Sequence, residues 1–229
     1  MTRSSVETVR FVVRSIAVTA VENEDYFGEL DAVVGDGDFG YSLARGFERV
    51  VAEVDGYPDD TAAALLQAAA MTISSRVGGT SGPIWGTGFL RASLSVRDAD
   101  RIDPAAVVAL LRSAAEGIQA RGKAQLGDKT LLDALIPATD ALETAADAGE
   151  TDPAVLAHAM RTAADATSAL QARRGRASYS GERSIGSPDA GAVALAVIAG
   201  RLADDWPRSG PPARADVPRS DHEKEDGAS

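Results

Sequence analysis

Three aspartates, Asp31, Asp36 and Asp38, fall within eight positions in the stretch "LDAVVGDGDFG", with glycines between them and no Lys or Arg among them. Carboxylates this close repel one another, and an ordinary helix or loop gains nothing from collecting them. Gly35, Gly37 and Gly40 let the segment fold back, so that the three side chains can converge on a divalent cation. Mg²⁺ suits such a site, because it takes oxygen ligands and completes its shell with water and phosphate oxygens. The competing reading is a solvated acidic turn capping the next helix. A calcium-binding EF-hand fails on spacing, since a loop opening at Asp36 would place Phe47 where the bidentate glutamate must stand.

Three further loops carry chemistry-bearing residues. In "GGTSGP" (78–83), glycines allow close backbone approach, and Thr80 and Ser81 add hydroxyl donors. Pro83 suits the first turn of a following helix, whose positive dipole end attracts phosphate. An anion nest and a plain interhelical loop fit this stretch equally. "GKAQLGDKT" (122–130) resembles a P-loop only superficially: Asp128 separates Gly127 from Lys129, which breaks the required pattern. Lys123 and Lys129 are then either phosphate partners or solvent-facing cations. "RRGRASYSGERSIGSPDAGA" (173–192) sets Arg174, Arg176 and Arg183 in a Gly/Ser-rich loop of a chain short of positive charge. It is either an arginine site for phosphate or carboxylate, or a mobile surface loop. Taken together, the four loops hold equipment for a metal–nucleotide ligand.

The elements that must position these loops are helical. Val9, Val12, Val13, Ile16 and Ala20 recur at helical spacing, which predicts a helix over 4–24 that starts around Ser5 and Thr8. Further helices are predicted near 40–55, 59–76, 84–97, 104–121, 131–148, 153–173 and 188–204, several opening on "PDDT" or "DP" caps. Strand-like alternation is scarce, so the fold class is all-α, with about eight antiparallel amphipathic helices in an up-and-down bundle or helical barrel and the loops of one end carrying the site. We expect one domain over 1–203 and a disordered acidic tail over 204–229, given its Pro, Gly and charge content.

Composition narrows the function. The chain has 229 residues, 45% of them hydrophobic, and a formal charge of −11. Such a body repels nucleic acid and anionic membranes, so neither is expected as a partner. No apolar run approaches the roughly 20 residues needed to cross a bilayer, and "MTRSSVETVRF" lacks a signal-peptide core. A cytoplasmic location is expected. There is no cysteine, which excludes disulfide and thiolate chemistry. The two histidines, His158 in a helical stretch and His222 in the tail, leave little room for a histidine base or a histidine-rich metal site.

The blocks "LDAVVGDGDFG", "GGTSGPIWGTGFLRA", "GDKTLLDALIPA" and "GRASYSGERSIGSPDAGA" resemble the signature blocks of the L subunit of dihydroxyacetone kinases, in family order across residues 30 to 192. The resemblance implies an eight-helix antiparallel barrel that binds ADP or ATP with two Mg²⁺ ions at one end. It implies Asp31, Asp36 and Asp38 as metal ligands. Nucleotide contacts would fall on Phe39, Gly40, Tyr41, Ser42, Thr80, Ser81, Gly122, Leu131, Arg176, Asp189, Ala190 and Gly191. Arg176 would also act catalytically, as an electrostatic clamp on the transferring phosphoryl group. It further implies a separate K-type subunit that holds the ketose. In the phosphotransferase-system-dependent type, favoured for a free-standing L chain, a phosphocarrier subunit recharges the bound ADP; other members exchange ATP. We also expect a homodimer. Three positions depart from the family pattern: Phe39 stands for a histidine, Ser42 for an asparagine and Ala190 for a proline. A nucleotide-binding regulatory protein without catalysis is the alternative from another class.

Overall fold

The computed structural model describes residues 4–97, 99 and 101–206. Nine α-helices lie among them: α1 (Ser5–Glu22), α2 (Glu24–Ala32), α3 (Phe39–Glu53), α4 (Ala62–Arg76), α5 (Ser81–Ser95), α6 (Pro104–Gly122), α7 (Leu132–Asp147), α8 (Pro153–Ala166) and α9 (Ala190–Asp205). Local chemistry accounts for most of the starts. Ser4 Oγ accepts the Glu7 N–H at 3.2 Å while the Glu7 carboxylate accepts the Ser4 N–H at 2.8 Å, a reciprocal capping box one residue before the expected start. Thr61, Asp103, Asp152 and Asp189 each accept a first-turn N–H of α4, α6, α8 and α9. Pro104 and Pro153 open their helices where a missing N–H costs nothing.

Eight of the helices close a ring. In order, α1, α3, α4, α5, α6, α7, α8 and α9 each pack on the next, and α9 returns to α1. Short connections make the neighbours antiparallel. Alternate connections therefore share an end, and 33–38, 77–80, 123–131 and 167–189 meet there. Two apolar clusters fill the bundle. One joins Val13, Phe27, Leu43, Phe47, Leu65 and Ile73, with Phe47 edge-on to Trp85 at 5.8 Å. The other joins Ile118, Leu132, Ala138, Met160 and Val193. Helix α9 serves both, through Ala194 and Ile198 on one side and Val193 and Ala196 on the other. Its sequence "AGAVALAVIAG" is apolar all round, as a helix buried on opposite faces must be. Among the described residues no helix is long and apolar enough to cross a membrane.

The structure corrects several boundaries. The predicted helix over 4–24 stops at Glu22, where Asn23 leaves the helical region (φ −110°, ψ 22°) and its side chain donates back to the Thr19 carbonyl at 2.8 Å. A separate short helix, α2, follows and was not foreseen; it buries only Phe27 fully, so its periodic signal is weak. Helix α5 begins at Ser81 rather than at 84, since Pro83 is tolerated in a first turn. Helix α8 ends at Ala166 rather than at 173: the Thr167 hydroxyl donates to the Ala164 carbonyl at 2.6 Å and the chain tightens into a 3-10 turn, Thr167–Ala169. Helix α9 runs through Asp204 and Asp205, the first residues assigned to the tail, and 207–229 lie outside the described residues.

Candidate functional site

Asp31 stands in the last turn of α2, while Asp36 lies in the following loop and Asp38 at the start of α3. The loop doubles back through Gly37, at φ +75°, and the Gly35 N–H donates to the Asp31 carbonyl at 2.6 Å. Gly35 has no room for a side chain: a Cβ there would stand 2.3 Å from Asp31 Oδ1. The outcome is convergence, with one carboxylate oxygen from each of Asp31, Asp36 and Asp38 within 4.8 Å of the others. Burial pushes the Asp31 carboxyl above its ordinary range; the N–H groups of Phe39 and Gly37 oppose this, and the charges of Asp36 and Asp38 add to it. A cation among the three would reverse the repulsive part.

Arg176 reaches this cluster from the long loop between α8 and α9. Its guanidinium pairs with Asp36 and stands 3.8 Å from Asp38. The Ser180 hydroxyl donates to the Val34 carbonyl at 2.9 Å and ties the same two loops. Beside them opens a cavity of about 480 Å³, within the usual range for a bound small molecule. Phe39, Thr80, Ser81, Gly122, Leu131, Arg176, Asp189, Ala190 and Gly191 line it, together with Asp31. The rest of the wall combines apolar side chains, from Leu30, Val34, Ile84, Trp85, Ile118 and Leu132, with Arg121, Lys129, Thr130 and Arg174. Sequence reading missed the apolar part of that wall, because its residues lie on four different helices or their ends and only the closed ring gathers them.

Three expected contacts stand elsewhere. Gly40 is buried against α2, where a Cβ would be 2.0 Å from the Glu24 carbonyl oxygen; it serves helix–helix approach. Tyr41 is exposed, with the Arg45 guanidinium 5.3 Å from its ring centre. Ser42 faces the second loop, where a Cβ on Gly78 would meet its Oγ at 3.0 Å. None of the three lines the cavity, because α3 turns them away from it after Phe39.

The third loop supplies a polar network that no motif announced. Asp133 accepts the N–H groups of Gly127 at 2.6 Å and Thr130 at 2.7 Å, and Asp128 accepts those of Gln125 and the Arg174 side chain, at 3.1 and 2.9 Å. Burial opposes ionisation of Asp128, but the Arg174 bond, the Gln125 N–H and the charges of Arg174 and Arg173 outweigh it and hold the carboxyl low. Lys129 is not solvent-facing: it is buried in the cavity wall, and its ammonium lies on three backbone carbonyls. Lys123 caps the end of α6 in the left-handed region, at φ 50°. Burial pushes the Asp189 carboxyl up to about 7; the Ala192 N–H opposes this, Asp133 reinforces it, and Lys129 and the Gly191 N–H oppose it.

The donor set is chemically consistent with a hard cation and a phosphate-bearing ligand: the converging carboxylates of Asp31, Asp36 and Asp38, the Thr80 and Ser81 hydroxyls at a helix start, and Arg121, Arg174 and Arg176 on a cavity wall that is otherwise partly apolar. His158 is exposed on α8 and belongs to none of this.

The fold and this site together define a helical module with an acidic, cavity-bearing end, and the chain belongs to the DAK2 domain family, whose model matches residues 33–204. Over 206 residues the chain is 35% identical to the Escherichia coli protein named "PEP-dependent dihydroxyacetone kinase, ADP-binding subunit DhaL", covering 89% of this chain and 98% of that one. It is 39% identical over 178 residues to an ADP-binding subunit DhaL of a PEP-dependent dihydroxyacetone kinase from Listeria innocua, covering 77% and 85% of the two chains. The L-erythrulose 1-kinase of Mycolicibacterium smegmatis is 34% identical, but this chain spans only 37% of its length. Among solved structures, the dihydroxyacetone kinase of C. freundii in complex with AMP-PNP and Mg²⁺ superposes with a TM-score of 0.71 at 24% identity, over 86% of this chain and 34% of that one. That likeness shows a shared helical fold.

Proposed function

We propose that this chain is the nucleotide-binding L-type subunit of a kinase for dihydroxyacetone or a related small ketose, working with a K-type subunit that holds the sugar. The observation that carries the reading is the convergence of carboxylate oxygens of Asp31, Asp36 and Asp38 within 4.8 Å of one another, with Asp31 also lining the cavity. The names of the Escherichia coli and Listeria innocua relatives support an ADP-binding role. They also support a phosphoenolpyruvate-dependent donor scheme, in which ADP stays bound and a phosphocarrier recharges it.

Asp31, Asp36 and Asp38 would hold two Mg²⁺ ions and take no acid–base part. Bound there, the metal supplies charge neutralisation for the phosphates and the transferring phosphoryl group. Thr80 and Ser81, at the start of α5, present hydroxyls and free N–H groups to phosphate oxygens. Arg176 spans the loop and the acidic cluster, placed to stabilise charge on the transferring group. The apolar wall of Ile84, Ile118 and Leu131 suits a flat base. No histidine of the described residues approaches the site, so the proton on the substrate hydroxyl leaves to a group on the partner.

Titration calorimetry with ADP, with and without Mg²⁺, tests the reading. We expect metal-dependent binding that Asp36→Ala abolishes while the helical circular dichroism persists. Binding that survives without metal, or in that variant, would reject the ligand assignment. A native mass spectrum showing copurified ADP supports the recharging scheme, and its absence with ready ATP exchange supports the other. Ketose identity is read by assaying dihydroxyacetone against erythrulose with the partner subunit present.

A further inference from the structure

Lysine is rarely buried without a carboxylate partner, yet Lys129 is 2% exposed and forms no ion pair among the described residues. Its ammonium donates instead to the carbonyls of Leu170 at 3.1 Å, Ser187 at 2.7 Å and Ser184. Those three bonds use all three N–H donors of the group, so none is left for a ligand. Leu170 is one foot of the loop between α8 and α9, and Ser184 and Ser187 are the other. Between them runs the 3-10 stretch Arg176–Ser184, which carries the arginine over the acidic cluster.

The same loop has little apolar anchorage. Tyr179 is 89% exposed and Ile185 50%. Its other ties are polar: beside the Ser180, Arg174 and Arg176 contacts described above, Ala172 N–H donates to Ser184 Oγ at 2.8 Å, Gly186 N–H to the Ser168 carbonyl at 2.8 Å and Arg173 N–H to the Asp128 carbonyl at 3.0 Å. Lys129 itself holds φ at +62°, a left-handed backbone that only glycine adopts freely. Such strain persists where surrounding contacts over-determine it. Burial also pulls its pKa down, opposed by the charge of Asp189.

We propose that Lys129 is a positioning residue: its buried ammonium clasps both feet of the 170–187 loop and so sets where Arg176 stands over the cavity. The clasp rests on geometry alone, and its consequence for nucleotide binding rests on the function proposed above.

Full-length Lys129→Met and Lys129→Arg variants test it. The first removes the charge; the second keeps it on a planar fork that cannot meet three carbonyls as a tripod does. Trypsin probes the loop directly without nucleotide, because Arg173, Arg174, Arg176 and Arg183 are exposed there. We expect cleavage at these sites, identified by fragment mass, to quicken at least about tenfold in both variants, following the opened population. In the nucleotide arm, Mg²⁺-dependent ADP affinity should fall in Lys129→Arg, and adding Arg176→Gln should then cost little more, since coupled residues are not additive. A merely structural role would leave the two effects additive. Wild-type cleavage rates in a folded variant overturn the clasp, and additive losses overturn its link to Arg176. Should Lys129→Met fail to fold, Lys129→Arg decides. If even the wild-type protein binds no ADP, the functional reading falls while the trypsin result still decides the clasp.

Discussion

Replacing Gly40 with alanine separates the structural role of that residue from the nucleotide contact its motif implied. A Cβ at Gly40 would stand 2.0 Å from the Glu24 carbonyl oxygen and 2.5 Å from the Gly28 nitrogen. Both are backbone atoms inside α2, so no side chain can swing away. Ordinary contact begins at 3.4 Å, so α2 and α3 must part by about 1.4 Å, an overpacking that costs roughly 1–3 kcal/mol. For a chain of this size that lowers Tm by about 2–12 °C. The larger effect falls on the site, because Asp31 rides on α2 and Asp38 on the start of α3. Mg²⁺ holds its oxygens at about 2.1 Å with little tolerance. An opening of that size should weaken Mg²⁺-dependent ADP binding about a hundredfold, the scale of a 1 Å misplacement in a working site. Calorimetry at saturating Mg²⁺ and a thermal melt read both numbers. Gly56→Ala, at the other end of the bundle with nothing within 4 Å of its Cβ, is the control and should change neither. A Gly40→Ala protein with wild-type Tm and wild-type affinity would refute the argument.

Two further outcomes follow from the site. Arg176→Gln should reduce phosphoryl transfer, measured with the partner subunit present, by about 10²–10³-fold; turnover within about twofold of wild type would remove Arg176 from the reaction. Asp189→Asn keeps an oxygen to cap α9 but cannot ionise. The Asp189 carboxyl is pushed up to about 7 in the fold from an ordinary 3.8, so its stabilising protonated form is present at low pH and lost as pH rises through that value. The two proteins should therefore match near pH 4 in urea melts, and the variant should gain with rising pH until about pH 7, by on the order of 1–4 kcal/mol. A gap that does not change with pH would contradict the assignment.

Local patterns carried the helices and the acidic cluster. The spacing of Val9, Val13 and Ile16, the Asp–Pro starts at 103 and 152, and the glycine-hinged aspartates are all short-range features, and short-range features are written in consecutive residues. Alternation of helices also implied which loops share an end. The breaks were harder, because Asn23 and Thr167 act through bonds to the preceding turn that many asparagines and threonines never make. Within a recognised motif, sequence alone could not tell Phe39, which lines the cavity, from Gly40, which packs α3 on α2. Lys129's role was likewise invisible: a lysine in a Gly-rich loop reads as a phosphate partner or a solvent-facing cation until the carbonyls of Leu170, Ser184 and Ser187 are seen around it. Those partners lie 41 to 58 residues away. What a charged group does depends on which distant dipoles surround it, and only closure of the ring brings them within bonding distance.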